Sequence, residues 1–593
     1  MVAPVLVIGA TSLGASKNPG WRMRSEGPPP PHEGLQLNTC RNTMCANFGV
    51  EPTVRGQDGR RARDHYRVIG SDPIKALKCM RCGQRVRIKS NRAAAEEHLR
   101  HIDYLSLPEE PVCPRATCVD RAPLVYRHGS TPDGSVRFRC RRCGKTFSAP
   151  ITPTWKQKAS DKNALLFRLL INRSPMRRIL EVADVSASTL YRKIEFIHQQ
   201  CQRFAARFER RLPEMALPAV QLETDLQDHL VNWGRDVDRL SVILRAVATT
   251  ESNSQYVLAV SINFDGSIDP GEAERNAREC GDFDRMTYER QCARIWVASD
   301  YMACSRASAA KLGAHTQQHR TRTADYGDDE DPFTEKWEVK QPSRGVQVHQ
   351  AYLLMGHFQT VKYLIGGATS ATACLDPDAG LRQAAIAVFR SWIMQSKFEA
   401  FELNIDKSLT IDQKKLVVMR AKAALNLARK RMGDHHRDDA ARALIKHQVH
   451  EMANQPPNQR WIEHPLPSLA EPKLRVLHLT PRSTSNLDQV ASMVFDATLR
   501  NTDRFFMITR RRLSLLERPI KTPSSAQRSC YIYAPYNPNV PCRLLDALRV
   551  AHNYHWVGKD NRTPAMRLGL TDRPFSLEDI LAEPRDVPGL IRR

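Results

Sequence analysis

Eight of the fifteen cysteines fall at spacings that suit a metal ion. Cys40 and Cys45 form a C-x4-C pair, followed by Cys79 and Cys82 in C-x2-C-G. Cys113 and Cys118 repeat the first spacing, and Cys140 and Cys143 the second, again followed by glycine. Four thiolates on two knuckles are the ligand set of a tetrahedral structural site, so each unit reads as a zinc ribbon and the chain should carry about two Zn²⁺. A segment with so little apolar content needs the metal in order to fold. Tyr66 precedes Cys79 and Tyr126 precedes Cys140 at nearly the same interval, which marks the two units as copies. Cysteines committed to metal fit a reducing cytoplasm.

A second chemistry could come from carboxylates. Asp225 follows the alternating VQLET, which reads as a strand, and Asp376 follows a short apolar run just before a helical pattern. An acid at the C-terminal end of a strand can point into a cleft. Asp378 has the position of a helix N-cap and is the alternate there.

These residues need elements to carry them. Val220 to Asp265 reads as three consecutive strands, two of them β-branched runs parted by the turn-like ESNSQ. Residues 161–208 read as helices in a helix-turn-helix layout, with Ser174-Pro175 and Ser186 as start signals. On the third helix Ser188, Thr189, Arg192 and Lys193 would face DNA, while Leu190, Ile194 and Ile197 pack inward. Between Lys156 and Arg211 there are 13 Lys/Arg against 5 Asp/Glu.

The order of zinc ribbon, helix-turn-helix and acid-bearing strand resembles bacterial insertion-sequence transposases of the DDE type. The tail LLDALRVAHNYHWVGKDNRTPAMRLGL and the string D-P-D-x-x-L-x-x-A-I-x-x-F from Asp376 resemble segments of the same family. The resemblance implies an RNase H-like catalytic domain that cleaves DNA and transfers strands with two Mg²⁺. Asp225 would bridge both ions and Asp376 would hold one. A Glu is usual for the third acid; here Asp503 is the first choice, with Glu517 and Asp488 as alternates. Arg510, Arg511 and Arg512 would bind phosphates beside it. The partners implied are element ends and target DNA, bound by a homo-oligomer. The rivals are a non-catalytic DNA-binding regulator with a degenerate RNase H-like domain, and a metal-dependent nuclease.

The expected fold is therefore multidomain α+β. A disordered leader (1–35) precedes two zinc-ribbon units (36–105 and 106–150). The helix-turn-helix (151–215) and an RNase H-like α/β domain (216–580) follow, the latter with insertions near 270–345 and 390–470, the second of them helical. A formal charge of +25 favours polyanionic partners such as nucleic acid. No run of 18 apolar residues is present to span a membrane, and the N-terminus lacks the basic flank of a signal peptide. The location expected is the bacterial cytoplasm, at the nucleoid.

Overall fold

The computed structural model describes residues 28–584, apart from 53–64, 71–74, most of 107–124, 233–240, 304–340, 482–485, 522–528, 531–536 and a few shorter gaps. The acidic run Asp328 to Asp331 lies outside the described residues.

The first cysteine unit forms a three-stranded antiparallel sheet of β1 (Tyr66–Ile69), β2 (Ala76–Cys79) and β3 (Arg85–Arg87), followed by α1 (Asn91–Ile102). The second repeats it with β4 (Val125–Ser130), β5 (Val136–Cys140) and β6 (Thr146–Ala149). Next come α2 (Asn163–Leu170), α3 (Met176–Ala183) and the long α4 (Ala187–Glu209).

The centre is a seven-stranded mixed sheet. Its opening strands β7 (Val220–Asn232), β8 (Ser241–Glu251) and β9 (Tyr256–Ile262) form the antiparallel meander expected from their β-branched runs. The short β10 (Phe264–Asp265) pairs outside this sheet with β11 (Val346–Gln347), across α5 (Pro270–Glu279). After α6 (Gln350–Leu364), β12 (Ala371–Leu375) joins the other edge of β7 in parallel. Helices α7 (Ala379–Val388) and α8 (Arg390–Met394) lead to β13 (Phe398–Asn404), parallel to β12. A helical pair, α9 (Ile411–Arg431) and α10 (Arg437–Glu451), precedes β14 (Trp461–Glu463) and β15 (Arg475–His478), which complete the order β14-β15-β13-β12-β7-β8-β9. Then come α11 (Leu487–Phe495), α12 (Arg500–Arg512) and α13 (Asn539–Tyr554).

Strand alternation assigns the two faces. Thr224 and Thr249 point to α6, where their hydroxyls and His357 Nε2 form a buried chain (2.8 Å and 2.8 Å). Glu223 and Thr250 point to the opposite face, where Thr502 of α12 bonds the Thr250 hydroxyl at 2.7 Å and the Glu223 carbonyl at 2.8 Å.

Two expectations change. The region 390–470 is not a purely helical insertion, because Phe398–Asn404 is a core strand buried at six of its seven positions. Its apolar and acidic residues are covered on both faces, so the pattern lacks the polar face that would mark it. The end of the leader is ordered: Asn91 Nδ2 donates to the carbonyl of Pro30 at 2.7 Å, and His32 bridges to Leu35. Helix α1 joins the first ribbon to the central domain. It packs along α6, with Ala93 and Ala94 fully buried, and a Cβ at Gly356 would lie 2.7 Å from Glu97 Cγ. Close approach of these helices therefore depends on small residues.

Candidate functional site

Both cysteine sets converge. The sulfurs of Cys40, Cys45, Cys79 and Cys82 lie within 4.8 Å of one another, as do those of Cys113, Cys118, Cys140 and Cys143. The Sγ–Sγ separations are 3.5 Å (Cys40–Cys82), 3.8 Å (Cys45–Cys79) and 3.6 Å (Cys113–Cys143). Four sulfurs at ~2.3 Å from a tetrahedral zinc would be roughly 3.8 Å apart, whereas a disulfide needs about 2 Å. The residues fit structural Zn²⁺.

The knuckles are built alike. Gly83 and Gly144 take positive φ (75° and 70°), and their N–H groups bond back to Cys79 and Cys140 carbonyls at 3.0 Å and 2.9 Å. This left-handed turn is why glycine follows each C-x2-C. Burial opposes ionisation of Cys79, but the backbone N–H groups of Cys82 and Arg81 outweigh it and bring the thiol down to about 7. The backbone N–H of Lys145 does the same for Cys143, also to about 7. Donors aimed at sulfur favour the thiolate that a metal requires.

The units differ at their tyrosines. Tyr66 is opposite Cys79, faces inward, and donates to the carbonyls of Asn47 (3.0 Å) and Val50 (2.8 Å). Tyr126 is opposite Arg139, one register step away, and is exposed. A one-residue change of register reverses the face a strand residue occupies.

The acids occupy one region of the central sheet. Continuing the β7–β12 register past Leu375↔Thr224 aligns Asp376 with Asp225, and the Asp376 N–H bonds the Thr224 carbonyl at 3.1 Å. Asp225 shares a face with Glu223, and Asp376 with Cys374, which is the side on which α12 starts. Asp378 is the N-cap of α7, bonding Leu381 N at 3.0 Å.

Glu223, which sequence reasoning passed over, ties α12 to this region. Its carboxylate accepts the Asn501 N–H at 2.7 Å, the Asn501 amide at 2.7 Å and the Ser252 hydroxyl at 2.8 Å. It thus caps the helix from a neighbouring strand. Burial pushes its carboxyl up to about 7, although these donors pull the other way. Its i, i+2 relation to Asp225 was the available signal.

The helix held this way carries Asp503 in its first turn, beside Thr502, and Arg510, Arg511 and Arg512 in its last. Glu517 lies beyond the helix and pairs with Arg173, and Asp488 pairs with Lys446. Neither is brought to the Asp225 strand by these contacts. Further along β7, His229 is buried, and burial, with a smaller contribution from Arg510, lowers it to about 4.

On α4, Ser186 caps the helix by accepting the Thr189 N–H at 3.3 Å. Ser188 and Arg192 are exposed and Thr189 is half-buried, while Leu190, Ile194 and Ile197 pack inward as expected. Lys193 is the exception. It is buried, and its Nζ donates to the Ala159 carbonyl at 2.8 Å, because the helix turns that position toward the segment preceding α2.

Among the described residues, no helix is long and apolar enough to cross a membrane. Taken together, the observations define an α+β protein with two four-cysteine centres ahead of a mixed sheet that carries neighbouring aspartates. Over 83 residues, 14% of this chain and 86% of the relative, the sequence is 29% identical to the insertion element iso-IS1N protein InsA of Shigella dysenteriae. No family model matches the chain.

Proposed function

We propose that the protein is an insertion-element transposase that binds the element's ends and cleaves and joins DNA as a homo-oligomer. The observation that carries this reading is the pairing of Asp376 with the Asp225 segment at the point where β12 ends and β7 continues. A three-strand meander extended in parallel on its β7 edge supports an RNase H-like domain. The insertion-element relative and the two cysteine centres support the N-terminal half of the reading.

Asp225 and Asp376 share one register, and Asp503 is on the helix that Glu223 caps. Carboxylates are hard oxygen ligands, which suit Mg²⁺ and not a thiophilic metal. Among the described residues, only the cysteine sets bring three or more ligand atoms within 4.8 Å of one another. When bound, two Mg²⁺ would activate the attacking oxygen and stabilise the leaving one. The chain's own contribution is positional: Glu223 and Thr250 fix the start of α12, so Asp503 is held relative to β7. Arg510 and Arg511 would meet the DNA phosphates, and Ser188, Thr189 and Arg192 the base edges.

The test is a joining assay with a 3′-hydroxyl donor end, a target plasmid and Mg²⁺. Asp225→Asn and Asp376→Asn should each lower joining about a thousandfold while leaving end binding intact. Normal joining by either variant refutes the active site. Cleavage without joining in the wild type means a nuclease, and end binding with neither activity means a regulator.

A further inference from the structure

The sheet of the second ribbon has two faces of opposite character. Val136, Phe138 and Cys140 alternate inward on β5, and Phe138 stacks on Phe147 at 5.9 Å between ring centres. Arg137 and Arg139 point the other way and are exposed. The register places Arg139 in a row with Tyr126 on β4 and Thr146 on β6, and Arg137 beside Ser148. Above this row the Arg141 guanidinium lies 5.4 Å from the Tyr126 ring centre, and His128 meets the same ring edge-on at 6.1 Å.

The charge of this unit is one-sided. From Val125 to Ala149 it holds six Lys/Arg and one acid, Asp133. Among the described residues, Arg137, Arg139 and Arg141 form no ion pair with a carboxylate. A solvated face would normally mix signs, so a one-signed face suits a polyanion, and the exposed ring beside it suits one with unpaired bases. The first ribbon has basic residues in the matching row, Arg67, Lys78 and Arg85, but its tyrosine is turned into the fold. The exposed ring is thus peculiar to the second copy.

We infer that the outer face of the second ribbon binds single-stranded DNA, with Tyr126 stacking on an unpaired base and Arg137, Arg139 and Arg141 neutralising its phosphates. Bases in a duplex already stack on one another and cannot cover a ring on a flat sheet. An unpaired strand can, and pairing an aromatic with cations is how sequence-tolerant single-strand binding is built. The choice of DNA rests on the transposase reading; the preference for unpaired bases rests on the sheet alone. In such an enzyme the face would hold a frayed or freshly cut end.

The test is fluorescence anisotropy with full-length zinc-loaded protein. The probes are a short mixed-sequence single strand, the same sequence as a duplex, and the same sequence as RNA. Tyr126→Ala should weaken the single strand roughly five- to hundredfold and leave duplex binding unchanged, and Tyr126→Phe should restore binding. Arg139→Gln should weaken the single strand further and flatten its salt dependence. If Tyr126→Ala costs the ribbon its zinc, Arg139→Gln and Tyr126→Phe decide the matter. Unchanged single-strand binding in every variant overturns the inference, as does equal weakening on the duplex. Tighter RNA binding overturns the choice of DNA. Because no arm measures joining, the result stands apart from the fate of the active-site assignment.

Discussion

Arg549 holds Glu209 inside the protein, with Nη1–Oε1 at 2.8 Å and the Glu209 side chain fully buried. Tyr104 and Tyr256 donate to the same carboxylate, so its lone pairs are filled. Glu209 is the last residue of α4, whose first two turns carry Ser188 and Arg192. Arg549 is on α13, which also packs on β9. A single helix therefore runs from the proposed base-reading surface into the central domain.

Breaking this pair should cost stability. Arg549→Met would leave a buried carboxylate without its cation, a loss of about 3–5 kcal/mol. Denaturant unfolding followed by tryptophan fluorescence should show an earlier transition. An unshifted midpoint would mean that the tyrosine hydroxyls suffice.

The third acid can be decided directly. Asp503→Asn should abolish joining, because Asp503 is carried by the helix start that Glu223 caps. Glu517→Gln should retain most activity, since it removes only a partly exposed pair with Arg173 worth about 0–1 kcal/mol. The reverse result in the joining assay would move the acid to Glu517.

Metal analysis of purified protein should find about two Zn²⁺ per chain, as two four-thiolate sites require. The ribbons should respond differently to a chelator. The first is braced from outside its zinc site, by Thr43 bonding the Leu479 carbonyl (3.0 Å) and Ser90 N bonding the Tyr352 hydroxyl (3.1 Å). The second should become protease-sensitive first, read as early cleavage between residues 113 and 149. Simultaneous cleavage of both would show that this bracing is ineffective.

Acid should destabilise the fold. Burial lowers His98, His229 and His552 each to about 4, and pushes His357 well below the usual range. Their folded pKa values lie below the unfolded 6.5, so unfolding takes up protons between these limits and stability falls as pH drops from about 6.5 toward 4. Glu223, raised to about 7, works in the opposite direction, as do Glu96, Glu402 and Asp496, which burial also raises. His101 and His464, lowered by burial, join the four imidazoles and keep the balance on their side. Melting temperature measured from pH 7.5 to 5 should fall, and His229→Asn should shallow the decline. A flat profile contradicts the neutral buried state.

The two neighbours on α4 should separate by effect. Arg192→Ala should narrow the difference between element-end and random DNA by about 1–3 kcal/mol and leave the melting temperature unchanged. Lys193→Met should instead alter stability, because the Lys193 ammonium binds the Ala159 carbonyl, and leave discrimination intact. Competition binding with paired melting curves measures both. Equal weakening of both DNAs by Arg192→Ala would move end recognition to the ribbons.

The sequence by itself determined what depends on spacing along the chain. The C-x4-C and C-x2-C-G repeats named all eight converging cysteines, because a knuckle is a local turn. The meander was legible from β-branched runs, and the cap Ser186 from its place before a helical pattern. Tertiary structure decided what depends on pairing across the chain. Asp376 meets Asp225 through a parallel register between strands about 150 residues apart, a closure that no local pattern encodes. The sequence ranks Asp503 ahead of Glu517, and only the tertiary structure shows that Asp503 is on the helix Glu223 caps while Glu517 pairs with Arg173. Lys193 read as a surface cation until the chain before α2 covered it, and β13 hid in a helical region because both its faces are buried. Tyr66 and Tyr126 have nearly the same interval to their cysteines, yet one is buried and the other exposed. A strand has two faces, and which one a residue takes is fixed by its partner strand.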